Sequence, residues 1–413
     1  MTTARPLRRM QGRDPHEPHR VATPLELLFD LTFVIAFGVA ASQFAHMLAE
    51  VHIAGGLAAF AFATFAISWA WINFSWFASA YDTDDWVYRL TTMVQMVGVI
   101  VLALGIPQMF ASVDRGDHLD NRLVVTGYVV MRVALIGQWL RAATQDPQRR
   151  AACRTYAAAV AVAQVGWIAS IFVDTSVVVS LVIAAVLVVV EMTGPFLAER
   201  RMGGTPWHAH HIAERYGLLA IIALGEGVVG TVASLTAAVG AQGWSTDAVM
   251  VVIAGTALTF GMWWVYFAVP FGELLHPRRD RSFSFGYLHI AVFGAIVATG
   301  AGLHAAAYFI EHHSKLGAAG TVASVAVPVG LFVVLVAAVQ ALLGAPGARL
   351  ALVSAALTVV VLAISPTVAA VGVSMTWSLL ITAAAPVVMV LAGEWNARRF
   401  AHRGVRVAND VQS

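Results

Sequence analysis

The chain has 413 residues, of which 59% are apolar and only 12% are charged. An average soluble domain carries about twice that share of charge. Too few polar side chains exist to cover a water-facing surface, which excludes an ordinary soluble enzyme, a disordered protein and a nucleic-acid-binding module. The formal net charge is +2 and Cys153 is the single cysteine, which excludes an intrachain disulfide and a multi-cysteine metal site. We expect a protein whose partner is the lipid bilayer.

Twelve apolar segments are long enough to cross the bilayer core, which takes about 20 residues of helix. Backbone polar groups in hydrocarbon must be hydrogen-bonded within their own segment, so we expect an all-α polytopic membrane protein. The predicted transmembrane helices are 25–48, 54–79, 89–111, 122–141, 151–172, 176–198, 212–237, 244–270, 283–310, 318–343, 348–370 and 374–395. The first of them would also serve as an uncleaved targeting signal.

The basic residues fall mostly on one side of this topology, with 21 on that side and three on the other. Cytoplasmic loops carry such an excess, so we expect a multi-pass protein of the bacterial inner membrane with both termini cytoplasmic. The predicted domains are a basic cytoplasmic segment 1–24, a six-helix half 25–198, a cytoplasmic linker 199–211, a second six-helix half 212–395 and a basic tail 396–413.

The two predicted halves share weak internal similarity. His19–Ala22 matches His210–Ala213, and Trp69–Trp71 matches Trp263–Trp264. Because each half holds six helices, both would have the same orientation, with the symmetry axis along the membrane normal. The sequence therefore predicts two pseudo-symmetric six-helix halves. We expect most of the tryptophans to be anchors at the membrane interface.

Two acidic residues lie one turn apart at the start of the predicted helix 25–48. Thr23, Pro24 and Glu26 match a capping box, which is the simplest interpretation of Glu26. Asp30 lies one turn deeper on the same face. A carboxylate there costs on the order of 3 kcal/mol unless it is paired or hydrated. Proton or ligand binding by Glu26 and Asp30 is one hypothesis, and structural pairing with an arginine is the other.

Glu226 is the most costly single residue to place in the bilayer. It lies twelve residues beyond Glu214, about 18 Å further along a helix, near the expected midplane. Gly225, Gly227 and Gly230 surround it and would allow a neighbouring helix, a water or an ion to approach the backbone. We predict a proton- or ligand-binding role for Glu226. The alternative is a protonated acid that is hydrogen-bonded between packed helices.

A histidine cluster precedes this segment. His211 and Glu214 lie three residues apart, next to His208 and His210, a grouping that could hold a transition metal. No established metal motif is present, so we expect a surface histidine patch, predict no metal site and assign no cofactor. Arg215 is a candidate partner for Glu26 or Asp30 if the first and seventh predicted helices face each other.

The predicted helix 283–310 contains His289 and His304 fifteen residues apart, close to one helix face. Histidine relays occur in membrane pumps and transporters, but the simpler interpretation is a hydrogen-bonded core histidine at each position. Arg132, within the predicted helix 122–141, requires a carboxylate or a water-filled cavity. The acidic turn Tyr81–Asp85 could bind cations or pair with a nearby arginine.

The acidic helix Glu26-Leu-Leu-Phe-Asp30-Leu-Thr-Phe and the segment Glu214-Arg215…Ala-Leu-Gly-Glu226-Gly-Val-Val resemble the bacterial low temperature requirement protein A family, as does Trp263-Trp-Val-Tyr-Phe. The resemblance covers roughly residues 20–395. It implies a polytopic membrane protein that is linked by name to growth in the cold and has no settled activity. The acidic motif residues of that family correspond here to Glu26, Asp30, Glu214, Arg215 and Glu226.

Three functions are compatible with these patterns. We expect a proton-coupled secondary transporter of a small solute that uses buried carboxylates. One alternative is an integral-membrane enzyme with a Glu/Asp/His acid–base or metal site, and another is a cation channel with two six-helix repeats. The candidate proton- or ligand-binding residues are Glu226, Asp30, Glu26, Arg215, Glu214, His211, His289 and His304. A homo-oligomer is compatible with the sequence, which does not identify the solute.

Overall fold

A computed structural model describes residues 7–17, 20–116, 118–173 and 175–395. The regular structure of these residues is entirely helical. The helices are α1 (Pro24–Ala49), α2 (Ile53–Tyr81), α3 (Trp86–Arg115), α4 (Arg122–Gln145), α5 (Arg150–Ile171), α6 (Val177–Arg201), α7 (Ala209–Gln242), α8 (Thr246–Phe267), α9 (Phe271–Leu275), α10 (Ser282–Ile310), α11 (Ala318–Leu342), α12 (Ala348–Ala370) and α13 (Met375–Ala384). A 3₁₀ segment, His276–Arg281, joins α9 to α10.

The all-helical prediction is confirmed for the described residues, and ten of their helical stretches are long and apolar enough to cross a membrane. One of the ten runs from Thr246 to Ile310 and contains α8, α9 and α10. The helix α5 is not among them. A multi-pass membrane protein is therefore the architecture, whereas the count of twelve spans stays a prediction.

Several helices begin at a residue whose side chain accepts a hydrogen bond from the first turn. Asp85 caps α3 by accepting from the Tyr88 backbone N–H, and Ser245 caps α8 in the same way. Asp and Ser are favoured at this position because they satisfy an N–H that has no partner within the helix. The cap explains why α3 begins at Trp86, three residues before the predicted start.

The described residues form two compact units. The first contains those up to Met47 and from His52 to Ile222, and the second contains Leu48–Val51 and those from Ala223 onward. The predicted domain boundaries stay a prediction. His19, part of the proposed repeat, and the predicted tail 396–413 lie outside the described residues.

Aromatic side chains fill the interior of the first unit. Trp139 stacks on Tyr156 with ring centroids 4.2 Å apart, and Phe77 meets the Trp139 ring edge-on at 4.8 Å. In contrast, Val178 and Val189 of α6 are more than 60% exposed. Exposed β-branched apolar residues on a helix of this length are typical of a surface that contacts lipid.

The N-terminal segment crosses one end of the first unit. The Arg13 backbone N–H donates to the carbonyl of Ala80, and the Met10 backbone N–H donates to the side chain of Gln145 at 2.6 Å. Met10 is fully buried. This polar, basic segment therefore packs against the ends of α2 and α4.

In the second unit, glycines allow three helices to approach closely. A Cβ on Gly300 of α10 would lie 2.7 Å from the backbone of Glu226 in α7, and a Cβ on Gly302 would lie 2.4 Å from the carbonyl of Ser324 in α11. Real Cβ atoms do not come so near to the backbone of another helix. Only glycine therefore allows these helices to cross at this distance.

Candidate functional site

The start of α1 is a capping box, as predicted. The Thr23 backbone N–H donates to Oε2 of Glu26 at 2.7 Å, and the Glu26 backbone N–H donates to the Thr23 hydroxyl at 3.3 Å. Pro24 is the first residue of the helix, where its missing N–H has no cost. The cap fixes the Glu26 carboxylate in a fully buried position.

Arg215 bridges the two carboxylates of α1. Its Nη1 donates to Glu26 Oε1 at 2.7 Å and its Nη2 donates to Asp30 Oδ1 at 2.6 Å. All three side chains are fully buried. The pairing expected from the sequence is therefore present, and it engages both acids at once because the guanidinium offers donors in a planar fork.

Aromatic residues of α2 complete the surroundings of this arginine. The indole N–H of Trp71 donates to the same Asp30 Oδ1 at 2.6 Å. The Arg215 guanidinium carbon lies 5.4 Å from the Trp71 ring centroid and 5.9 Å from that of Phe74, within the range of cation–π attraction. Trp71 is fully buried, so it is an exception to the expectation that most of the tryptophans are anchors at the membrane interface.

The cluster contains unpartnered polar atoms. Within the part of the chain that the structure describes, Asp30 Oδ2, Arg215 Nε and His211 Nδ1 are buried and have no hydrogen-bond partner. Two carboxylates also face a single permanent cation. A net charge in a buried site is costly unless it is compensated.

The histidines around the start of α7 do not form the predicted surface patch, because two of the three are buried. His211 is fully buried, with its Nε2 3.2 Å from Glu26 Oε1, and His208 is 5% exposed. His208 Nδ1 accepts from the His211 backbone N–H, so its Nε2 carries the proton that is donated to the Glu17 carbonyl at 2.9 Å. Among the described residues, no group of three or more His, Cys, Asp or Glu side chains could hold a metal ion.

A second arginine and a third acid lie beside the cluster. Arg20 donates to the carbonyl of Ala78 at 3.0 Å and lies 4.0 Å from Asp82, whose side chain is 3% exposed. Burial raises the pKa of Asp82 to about 6, with a further contribution from the negative charge of Glu26. Asp82 was not among the predicted site residues, although its place in an acidic turn was a usable signal.

The acidic turn is otherwise engaged in ion pairs. Asp84 lies 2.8 Å from Arg89, as one interpretation of the turn predicted, and Asp85 pairs with Arg141. Glu214 is more peripheral than the cluster and accepts a hydrogen bond from the Ala22 backbone N–H at 3.3 Å.

Glu226 belongs to the second unit. Its side chain is 5% exposed and forms no hydrogen bond or ion pair with the described residues. The alternative interpretation was that Glu226 is hydrogen-bonded between packed helices. No contact among the described residues supports it. Gly227 packs against Thr259 of α8 and Gly230 packs against the Gly300 carbonyl, whereas a Cβ on Gly225 would meet no atom within 4 Å. The predicted close approach is therefore present at two of the three glycines.

The two histidines of α10 differ from each other. His289 is fully buried, with Nδ1 2.7 Å from the carbonyl of Phe285 and Nε2 3.0 Å from the Tyr266 hydroxyl. It is the hydrogen-bonded core histidine that the simpler interpretation expected. His304 is partly buried, and its Nδ1 has no partner among the described residues.

A second buried charge cluster in the first unit contains Glu191, which was not among the predicted site residues. Arg132 donates to the Tyr128 hydroxyl at 2.5 Å, and this hydroxyl donates in turn to Glu191 of α6. Glu191 also accepts from Gln164 at 3.1 Å and from Trp167 at 2.9 Å. The carboxylate that Arg132 was expected to require is therefore Glu191.

The residues of the first cluster lie in the region matched by a known family. The family model for the bacterial low temperature requirement A protein (LtrA) matches residues 21–391. The chain belongs to this family. The LtrA match includes Glu26, Asp30, Arg215 and Glu226.

One relative of this LtrA protein is an uncharacterised protein of Rhizobium meliloti (strain 1021). It is 28% identical over 308 residues, which are 71% of this chain and 70% of the relative. No solved structure matches the chain.

Proposed function

We propose that this LtrA protein is a proton-coupled secondary transporter of a small solute. The observation that carries the proposal is the excess of carboxylates over arginines in the cluster of Glu26, Asp30, Arg215 and His211. Arg215 neutralises one carboxylate at 2.6–2.7 Å, and the second carboxylate requires either a proton or a bound cationic group. Asp30 Oδ2, which is buried without a partner among the described residues, is the oxygen that would take the proton.

The cluster can couple proton binding to movement of helices. When Asp30 is ionised, it attracts Arg215 and holds α7 against α1. When Asp30 is protonated, the attraction to Arg215 weakens and the arginine is satisfied by Glu26 alone. A proton thereby changes the free energy of the α1–α7 contact, which is what coupling of ion and solute movements requires.

Glu226 would be a second protonation site. It is buried without an ion-pair partner among the described residues, and an ionised carboxylate in such surroundings is costly. His304 lies one turn beyond Gly300, where a Cβ would lie 2.7 Å from the Glu226 backbone, and a Cβ on Gly230 would lie 3.3 Å from the His304 backbone nitrogen. Under this proposal Glu226 and His304 relay protons, whereas His289 keeps a structural role.

The proposal includes a topology. Twelve spans in two six-helix halves, with both termini in the cytoplasm of a bacterial cell, agree with the placement of the basic residues. Twelve spans would require α5 to cross the membrane and the Thr246–Ile310 stretch to cross it twice.

Proton movement in membrane vesicles tests the proposal. Everted vesicles that contain the full-length protein and a pH-sensitive dye would be challenged with organic anions, organic cations and neutral solutes in turn. We expect one of these classes to collapse an imposed pH gradient in the wild type and not in Asp30→Asn or Glu226→Gln. Asp84→Asn is the matched control, since Asp84 lies in the turn outside the cluster and pairs with Arg89.

An infrared pH titration provides a direct measurement that needs no solute. The wild type should show C=O bands of buried protonated carboxylic acids, and Asp30→Asn should lose the band that belongs to Asp30 while it keeps that of Glu226. Identical spectra for the two proteins, together with gradients that no solute class collapses, would refute proton coupling. Large unitary currents in planar bilayers would indicate a channel instead.

A further inference from the structure

A cavity of about 400 Å³ lies in the second unit. It is formed by the end of α8, the turn before α9, the start of α12 and the helical stretch after α13. Of its described lining residues, only Gln340 and Ser354 have polar side chains. Its volume lies in the range of small-ligand pockets, which are mostly apolar.

Two arginines lie close to residues that line this cavity. A Cβ on Gly344, next to the lining residue Ala345, would lie 3.1 Å from the Arg278 guanidinium. Arg349 is exposed on the first turn of α12, between the lining residues Gly347 and Leu350. Neither arginine has an ion-pair partner among the described residues. The combination of an apolar cavity and unpaired arginines is complementary to a ligand with an apolar chain and an anionic group.

We propose that this cavity binds one acyl chain of an anionic phospholipid, whose phosphate contacts Arg278 and Arg349. Two general observations favour this ligand. Basic pockets between transmembrane helices on the cytoplasmic side bind anionic headgroups, and the cytoplasmic leaflet of a membrane is negatively charged. The predicted topology places Arg278 and Arg349 on that side.

The C-terminal tail is a less suitable occupant of the cavity. Residues 398–406 include Arg398, Arg399, Arg403 and Arg406 and no acidic residue. Like charges repel, so a basic rim disfavours a basic segment, whereas it attracts a phosphate.

Native mass spectrometry of the full-length protein, extracted from vesicles of equal parts phosphatidylglycerol and phosphatidylcholine, tests the site. We expect the wild type to retain one phosphatidylglycerol. The double variant Arg278→Gln/Arg349→Gln should retain at least about tenfold less, since each arginine near a phosphate is worth about 1 kcal/mol. Arg281→Gln is the matched control, because Arg281 lies in the same 3₁₀ segment and pairs with Asp280 at 3.3 Å.

A second variant tests the cavity itself. Gly393 lines the cavity, and a Cβ there would meet no atom within 4 Å, so Gly393→Leu adds a bulky side chain at the cavity without a backbone clash. We expect it to displace phosphatidylglycerol, whereas Gly137→Leu on α4, which also meets open space, should not. Equal retention of both lipids by the wild type, or unchanged retention in the double variant and in Gly393→Leu, would overturn the proposal. Displacement of the lipid by millimolar inorganic phosphate would likewise argue against acyl-chain binding.

Discussion

Two buried charge clusters of the same unit differ in how their charges balance. In the Arg132 cluster, one arginine faces one carboxylate, Glu191, which also accepts hydrogen bonds from Tyr128, Gln164 and Trp167. In the Arg215 cluster, one arginine faces two carboxylates, Glu26 and Asp30, of which Asp30 retains an unpartnered oxygen within the described part of the chain.

This difference separates a structural ion pair from a site suited to proton exchange. A pair with balanced charges gains nothing from a proton, because protonation of its carboxylate would leave a buried arginine without a counter-ion. The unbalanced cluster reaches neutrality only when a proton or another cation arrives. Burial alone does not distinguish the two clusters, since the side chains of both are almost entirely inaccessible.

The largest expected effect is that of Arg215→Gln. The substitution leaves two buried carboxylates without a permanent cation, and breaking a buried ion pair costs about 3–5 kcal/mol. We expect the free energy of unfolding in detergent to fall by about 5 kcal/mol, measured by chemical or thermal denaturation. Adding Asp30→Asn and Glu26→Gln should restore part of this loss.

Arg89→Gln, which removes an exposed ion pair, should change stability by less than about 1 kcal/mol. A similar small change for Arg215→Gln would mean that the cluster is hydrated.

Glu191→Gln should have the next largest effect. It leaves the Arg132 charge buried but keeps an amide oxygen that can accept from Trp167 or Gln164, so we expect a loss of about 3 kcal/mol. Proton-dependent measurements should not change, because the Arg132 cluster holds no excess carboxylate. If Glu191→Gln abolished proton movement in vesicles, charge balance would not be the property that distinguishes the two clusters.

Part of the Arg215 cluster was predictable from the sequence because local rules determine it. Thr23, Pro24 and Glu26 match a capping box, which requires only neighbouring residues, and a buried arginine such as Arg215 requires an acid. The all-helical fold follows from the length and hydropathy of the apolar segments. The observed helix ends differ from the predicted ones where a capping residue such as Asp85 starts the helix before the apolar segment begins.

The remaining features depend on tertiary packing that hydropathy does not encode. A tryptophan near the end of an apolar helix can face lipid or protein, and Trp71 faces Asp30 whereas Trp263 is 40% exposed. Glu191 is adjacent to a valine-rich run and gives no local signal for its partner Arg132. His208 was expected at the surface, but the N-terminal segment covers it through the Glu17 carbonyl.

The pH dependence of stability tests whether Asp82 shares the excess negative charge of the Arg215 cluster. Burial raises the pKa of Asp82 from 3.8 to about 6. Between these values the folded state binds more protons than the unfolded state, so the free energy of unfolding should decrease as pH rises from about 4 to about 6. We expect a decrease on the order of 2 kcal/mol, measured by thermal unfolding across this range.

Asp82→Asn should remove the decrease, and Asp84→Asn should retain it. A flat profile for the wild type would show that Arg20 neutralises Asp82.

The smallest expected effect on stability is that of Asp30→Asn, and it decides between the two interpretations of the cluster. An asparagine keeps the oxygen that accepts from Trp71 and Arg215, and its amide nitrogen takes the place of the unpartnered Oδ2. If the carboxylic acid is already protonated in the resting cluster, the substitution exchanges one neutral group for another. The free energy of unfolding at neutral pH should then change by no more than about 1 kcal/mol. The free energy of unfolding of Glu191→Gln, measured under the same conditions, is the reference. A loss as large as that of Glu191→Gln would mean that Asp30 is an obligatory counter-ion of Arg215, in which case the cluster holds no exchangeable proton and its function is to join α1 to α7.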